Sequence, residues 1–238
     1  MSTTQKVVFT MIMIELLGIL VLSHVPVNNL AVKGVAKYSL IATIFAASFF
    51  PTKPTRIHKI LGLAIIFLFI GDFFLVFLWN VLGEGPLYVK IAGQLAFLSA
   101  YICLIWVYTR KFKFAVKDIL ASLPILAVLI PILIILLPRV SSEMLIISLF
   151  FALVVSFMAW RAICTVYNGY FINKVAIRFA IAGFLMFLSD MGVAFIFFYP
   201  GMENVPLLEN EVWITYIPAW ALILINIFEE KLLIESTG

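Results

Sequence analysis

Apolar runs long enough to cross a bilayer alternate with short polar stretches along the whole chain. Eight such runs lie near residues 7–23, 34–50, 60–80, 88–109, 117–137, 143–165, 175–199 and 212–229. A spanning helix needs about 20 predominantly apolar residues. The stretches between them carry Pro51, Pro54, Gly83, Gly85, Pro86, Pro138, Pro200, Gly201 and Pro206, residues that end helices and turn the chain. Pro124 and Pro131 fall inside the fifth run and Pro218 inside the eighth, where membrane helices accommodate them as kinks. The pattern predicts an all-α polytopic membrane protein with eight transmembrane helices, one integral membrane domain over residues 1–238.

Two of the runs are broken by a carboxylate. The third reads Phe69-Ile70-Gly71-Asp72-Phe73-Phe74, and the seventh reads Phe187-Leu188-Ser189-Asp190-Met191-Gly192, 118 residues later. In each, a small residue precedes Asp and apolar residues flank the pair. The third run maps onto the seventh, an offset of four spans and so an even number; the halves 1–116 and 117–238 are therefore expected to form two parallel four-helix repeats. An ionisable group at membrane depth costs about 3 kcal/mol on insertion scales, and such groups mark functional sites.

Depth sharpens the expectation. At about 1.5 Å of rise per residue, Asp72 lies some 18 Å and Asp190 some 22 Å from the starts of their expected spans. Lys37, about 5 Å deep, and Gln94, about 9 Å deep, enter from the opposite surface and reach the same layer. Tyr101 shares a helical face with Gln94. Glu15 falls near the middle of the first span. Two carboxyls facing one another in a desolvated pocket hold different protonation states, one an acid and one a base. That arrangement suits general acid–base chemistry. For an isolated intramembrane Asp the competing expectation is a hydrogen bond that fixes helix packing.

Composition agrees with the membrane reading. The chain is 65% hydrophobic and 12% charged, with a mean hydropathy of +1.19; soluble domains average about half apolar and a quarter charged. Of the 16 basic residues, 12 fall on the side that would hold both termini, so the termini are expected in the cytoplasm; the plasma membrane is the expected location. The pI near 9.1 therefore reflects topology and not nucleic-acid binding. The basic stretch from Arg110 to Lys117 is read first as a topology signal and second as a contact for anionic lipid heads. Glu15, and the lack of an Ala-x-Ala-like site, argue for a retained first helix rather than a cleaved signal. Cys103 and Cys164 both lie in apolar segments and form no disulfide framework. His24 and His58 fall in expected loops without a second ligand at metal spacing, so neither metal nor cofactor is expected.

The Asp segments resemble those of the YhhN-like lysoplasmalogenase family, in chain length, in eight spans, and in a Gly-Asp third and Ser-Asp seventh span. Lys37 in Val35-Ala36-Lys37-Tyr38 resembles that family's second-span Lys. Gly93-Gln94 through Tyr101 resembles its fourth span, and Tyr216-Ile217-Pro218-Ala219-Trp220 its eighth. The chain departs from the family where Tyr38 follows Lys37 in place of Pro, where Tyr101 replaces His, and where Trp220 replaces Gln. The resemblance implies hydrolysis of the vinyl ether of a lysoplasmalogen-type lysophospholipid to a fatty aldehyde. Asp72 and Asp190 would be catalytic, and Lys37, Gln94, Tyr101 and Tyr216 would bind substrate. Membrane lipids are the expected surroundings, and the sequence leaves the oligomeric state open. A proton-coupled transporter, or a lysolipid-binding protein without catalysis, is the competing reading of the same acids; turnover in detergent separates an enzyme from either.

Overall fold

A computed structural model describes residues 3–24, 30–50, 55–78, 87–112, 114–202 and 205–234. The predicted loop residues Pro51, Lys53, Pro54, Gly83, Glu84, Gly85, Pro86, Lys113 and Glu203 lie outside them. The described chain is helical: α1 Thr3–His24, α2 Leu30–Ala47, α3 Arg56–Asp72, α4 Leu87–Tyr108, α5 Val116–Leu136, α6 Ser142–Cys164, α7 Asn173–Phe198 and α8 Pro206–Ile227. A wider π-helical turn, Phe73–Leu78, continues α3, and a short tighter turn, Leu137–Arg139, follows α5. Among the described residues six helices, α3 to α8, are long and apolar enough to cross a membrane. Much of their surface is exposed Leu, Ile, Val and Phe, as expected of a multi-pass integral membrane protein whose solvent is lipid.

The chain divides into two compact units, residues 1–104 and 105–238. In the first, α1 packs on α2, and α2 packs on α3 and the π-helical turn. Buried Ile12, Leu16 and Ile19 of α1 recur at helical spacing, as do Leu61, Ile65 and Leu68 of α3. In the second unit α7 packs along both α6 and α8. Gly183 of α7 faces Ala162 of α6 so closely that a Cβ there would collide with the alanine methyl, the small-residue contact that lets membrane helices approach.

One end of the second unit is tied by charge. Glu229 pairs with Lys174 at 2.6 Å and with Arg178 at 2.6 Å, while Asn226 Nδ2 donates to Val175 O at 3.4 Å. Burial alone would raise the Glu229 pKa, but the hydrogen bonds and charges of Arg178 and Lys174 hold it below the ordinary carboxylate value. The chain beyond α8 then doubles back, with Ile172 N donating to Leu232 O at 3.0 Å and Ile234 N to Tyr170 O at 3.2 Å.

Expectations change at helix ends. His24, expected in a loop, is the last residue of α1. His58 is not a loop residue: it is the third residue of α3 and completes a cap. Its Nδ1 accepts from Thr55 N at 3.1 Å and lies 2.7 Å from Thr55 Oγ1, satisfying donors that a helix start leaves open. The eighth helix starts at Pro206 instead of 212, because proline is favoured in a first turn and Glu209 suits that turn's positive end.

Candidate functional site

Asp72 is the last residue of α3 before the π-helical turn and is 2% exposed. Its burial follows from Gly71. A Cβ at Gly71 would sit 2.7 Å from a ring carbon of Phe97 and 3.4 Å from Gly93 O, and one at Gly93 would strike Leu75. The two glycines therefore bring α3 and α4 together at this level. Gln94, next to Gly93, is placed at the height of Asp72, and its Oε1 is buried without a hydrogen-bond partner. Tyr101, two turns along α4, is fully buried.

On α2, Lys37 is half-buried, and its neighbour Tyr38 carries the aromatic contact. The Tyr38 ring stacks on Phe69 at 5.0 Å and lies 6.0 Å from Phe73 and 5.4 Å from Phe77. The π-helical winding sets Phe73 and Phe77 in a stack of their own, 5.6 Å apart. Tyr38 is thus held among rings on both sides of Asp72 in the chain. Sequence reasoning chose Lys37 and passed over Tyr38; the available signal was the ladder of Phe69, Phe73 and Phe77 at helical spacing.

The second unit presents Asp190, half-buried on α7. Beside it Ser189 Oγ donates to Val212 O of α8 at 3.3 Å, and a Cβ on Gly192 would collide with the Glu211 carboxylate and Val212. Tyr216, on the same neighbouring helix, belongs to an aromatic column, 6.0 Å from Trp213 and 6.5 Å from Trp220. Trp220 is fully buried, and its indole Nε1 has no hydrogen-bond partner. Glu211 is a further acid inside a span. It lies one residue before the expected eighth span, 212–229, and inside the observed α8.

The candidates therefore divide between the units: Lys37, Asp72, Gln94 and Tyr101 in the first, Asp190 and Tyr216 in the second. Glu15 belongs to the first unit, where its Oε1 lies 3.1 Å from Thr43 Oγ1 and its Oε2 is buried without a partner. A separate cluster in the second unit holds Arg161, 1% exposed, over the Phe112 ring at 3.3 Å with one nitrogen donating to Tyr108 O at 3.3 Å. Asp118 anchors the start of α5 there, accepting from Ala115 N at 2.6 Å, while Trp160 Nε1 donates to Asp118 O at 2.6 Å. Among the described residues no three His, Cys, Asp or Glu side chains converge as a metal site would require.

No curated protein and no solved structure matches the chain. The pattern of one family covers residues 32–227, from α2 to the end of α8 and including both Asp-bearing helices. On that match the chain belongs to the YhhN family.

Proposed function

We propose that the chain is an intramembrane hydrolase that cleaves the vinyl ether of lysoplasmalogen-type lysophospholipids and releases a fatty aldehyde. The observation that carries the reading is Asp72, 2% exposed in an apolar helix and level with a buried, unpartnered acceptor on Gln94. An amide oxygen buried without a donor costs free energy. A substrate that supplies donors offsets that cost. Asp190 supplies the second acid, and YhhN membership and the resemblance of the Gly-Asp and Ser-Asp segments support the choice of chemistry.

In this reading one Asp, protonated, gives its proton to the enol-ether carbon, and an oxocarbenium-like ion forms. The other, ionised, stabilises that charge and takes a proton from the attacking water. The hemiacetal then collapses to aldehyde and glycerophospho-alcohol. Lys37, Gln94 and Tyr101 would position the head group, Tyr216 would bind substrate, and Phe69 and Phe73 would flank the hydrocarbon chain. Substrate would enter from the outer leaflet of the plasma membrane, with both termini in the cytoplasm.

The test is aldehyde release by purified protein in detergent, from a lysoplasmalogen and from its saturated-ether analogue. Turnover of the vinyl ether alone is expected. Asp72→Asn and Asp190→Asn should each lower it at least 100-fold with folding intact. Turnover kept in either variant refutes the two-acid mechanism.

A further inference from the structure

Glu15 poses a question of hydrogen counting that the hydrolytic reading does not use. Thr43 Oγ1 lies 3.1 Å from Glu15 Oε1 and also 3.1 Å from Ser39 O, one turn back on its own helix. A hydroxyl has one hydrogen to give and two lone pairs with which to accept. A carboxylate only accepts, as does the Ser39 carbonyl, so an ionised Glu15 would leave two acceptors competing for that hydrogen. A neutral acid removes the conflict: Thr43 donates to Ser39 O, and Glu15 donates its own O–H to Thr43 Oγ1.

The second oxygen points the same way. Glu15 Oε2 is buried and has no hydrogen-bond partner. Burying an unpaired carboxylate is so costly that such groups neutralise instead. The sequence offers no counter-ion on α1, where Glu15 is the only charged residue between Lys6 and the end of the helix. On α2, the helix packed against α1, the charged residue nearest Thr43 in sequence is Lys37. It stands six residues away, about 9 Å of helical rise and on another face. The other polar groups of α2 near Thr43 are Ser39 and the phenol of Tyr38, and neither is a cation.

We propose that Glu15 is a proton-binding site within the membrane, held as the neutral acid by Thr43, and that it is therefore a site of modification by an apolar carbodiimide. The acid O–H adds across one C=N bond of the reagent. The acyl oxygen bonds to the central carbon and the proton passes to nitrogen. Migration of the acyl group from oxygen to nitrogen leaves a stable N-acylurea, with no oxidant and no leaving group. Glu15 stands apart from the Asp72 and Asp190 chemistry, and its protonation does not depend on what the protein hydrolyses.

The experiment treats the full-length protein in detergent with N,N′-dicyclohexylcarbodiimide and maps adducts by peptide mass spectrometry from pH 6 to 8. The expected result is an adduct on Glu15 whose yield stays within twofold across that range, together with little labelling by a cationic, water-soluble carbodiimide. Glu15→Gln, in which the amide N–H can replace the acid O–H, should abolish the adduct and melt within about 1 °C of the parent protein. No adduct on Glu15 overturns the proposal. So does labelling that falls tenfold per pH unit over this range, the behaviour of an acid already ionised. Neither outcome depends on aldehyde release, so this inference and the hydrolase reading stand or fall separately.

Discussion

Gly71→Ala tests whether the close approach of α3 and α4 is what seats Asp72. The added methyl would lie 2.7 and 2.8 Å from two carbons of the Phe97 ring. Carbon atoms rest at about 3.5–4.0 Å, so roughly 1 Å must be found. Phe97 is buried, and a flat ring cannot yield by rotating its far end away. Overpacking of this kind costs about 1–3 kcal/mol, while alanine regains up to about 1 kcal/mol of helix propensity. The net expectation is a loss of about 1–2 kcal/mol, read as a lower melting temperature in detergent. Separating the helices also displaces Asp72 relative to α4, and misplacement of about 1 Å can cost about 100-fold in rate. Gly62→Ala is the internal control, because nothing lies within 4 Å of a Cβ there; it should be neutral or stabilising. Phe97→Leu added to Gly71→Ala should restore part of both losses, a coupling visible in a double-mutant cycle. If Gly71→Ala matches the parent in melting and turnover, or Phe97→Leu gives no relief, the packing argument is wrong.

Two further predictions concern the ends of helices. Glu229 has a pKa lowered by its partners. Its tie therefore contributes fully above the unfolded carboxylate value of about 4.3 and is lost as pH falls through the folded value. Lys174 is 56% exposed, so its share is small; the Arg178 bond dominates at about 1–2 kcal/mol. Glu229→Gln should lower the melting temperature at pH 7 and flatten its fall between pH 5 and 3, and an unchanged pH profile would refute the assignment. Thr55→Ala removes the oxygen that caps α3 and should cost about 1 kcal/mol, measured by thermal melting; no loss would mean that the His58 contact alone suffices.

The helices were legible because long apolar runs leave little choice of structure in lipid. Their ends were less so. Glu209, Asn210 and Glu211 lower local hydropathy and hid the true start of α8 at Pro206. The place of His58 in the helix is hidden because its role in the Thr55 cap depends on a ring nitrogen accepting a backbone bond, which composition does not display. The Asp positions stood out in sequence because a charge in an apolar run is conspicuous. Tyr38 did not, since an aromatic residue beside a lysine gives no hint of where its ring will lie. Nor does a sequence show that Arg161 is 1% exposed, since a guanidinium leaves water only where aromatic faces and a carbonyl are folded around it.

The π-helical stretch Phe73–Leu78 has a consequence for how this protein tolerates change. Such a turn holds more residues than a turn of the α-helix that it continues. Removing a single residue from it could tighten the coil and leave Asp72 and everything before it in register. The same deletion in the regular coil of α3 would rotate the carboxyl by about 100°. A chain can thus gain or lose length just past its most costly side chain while the acid keeps its heading.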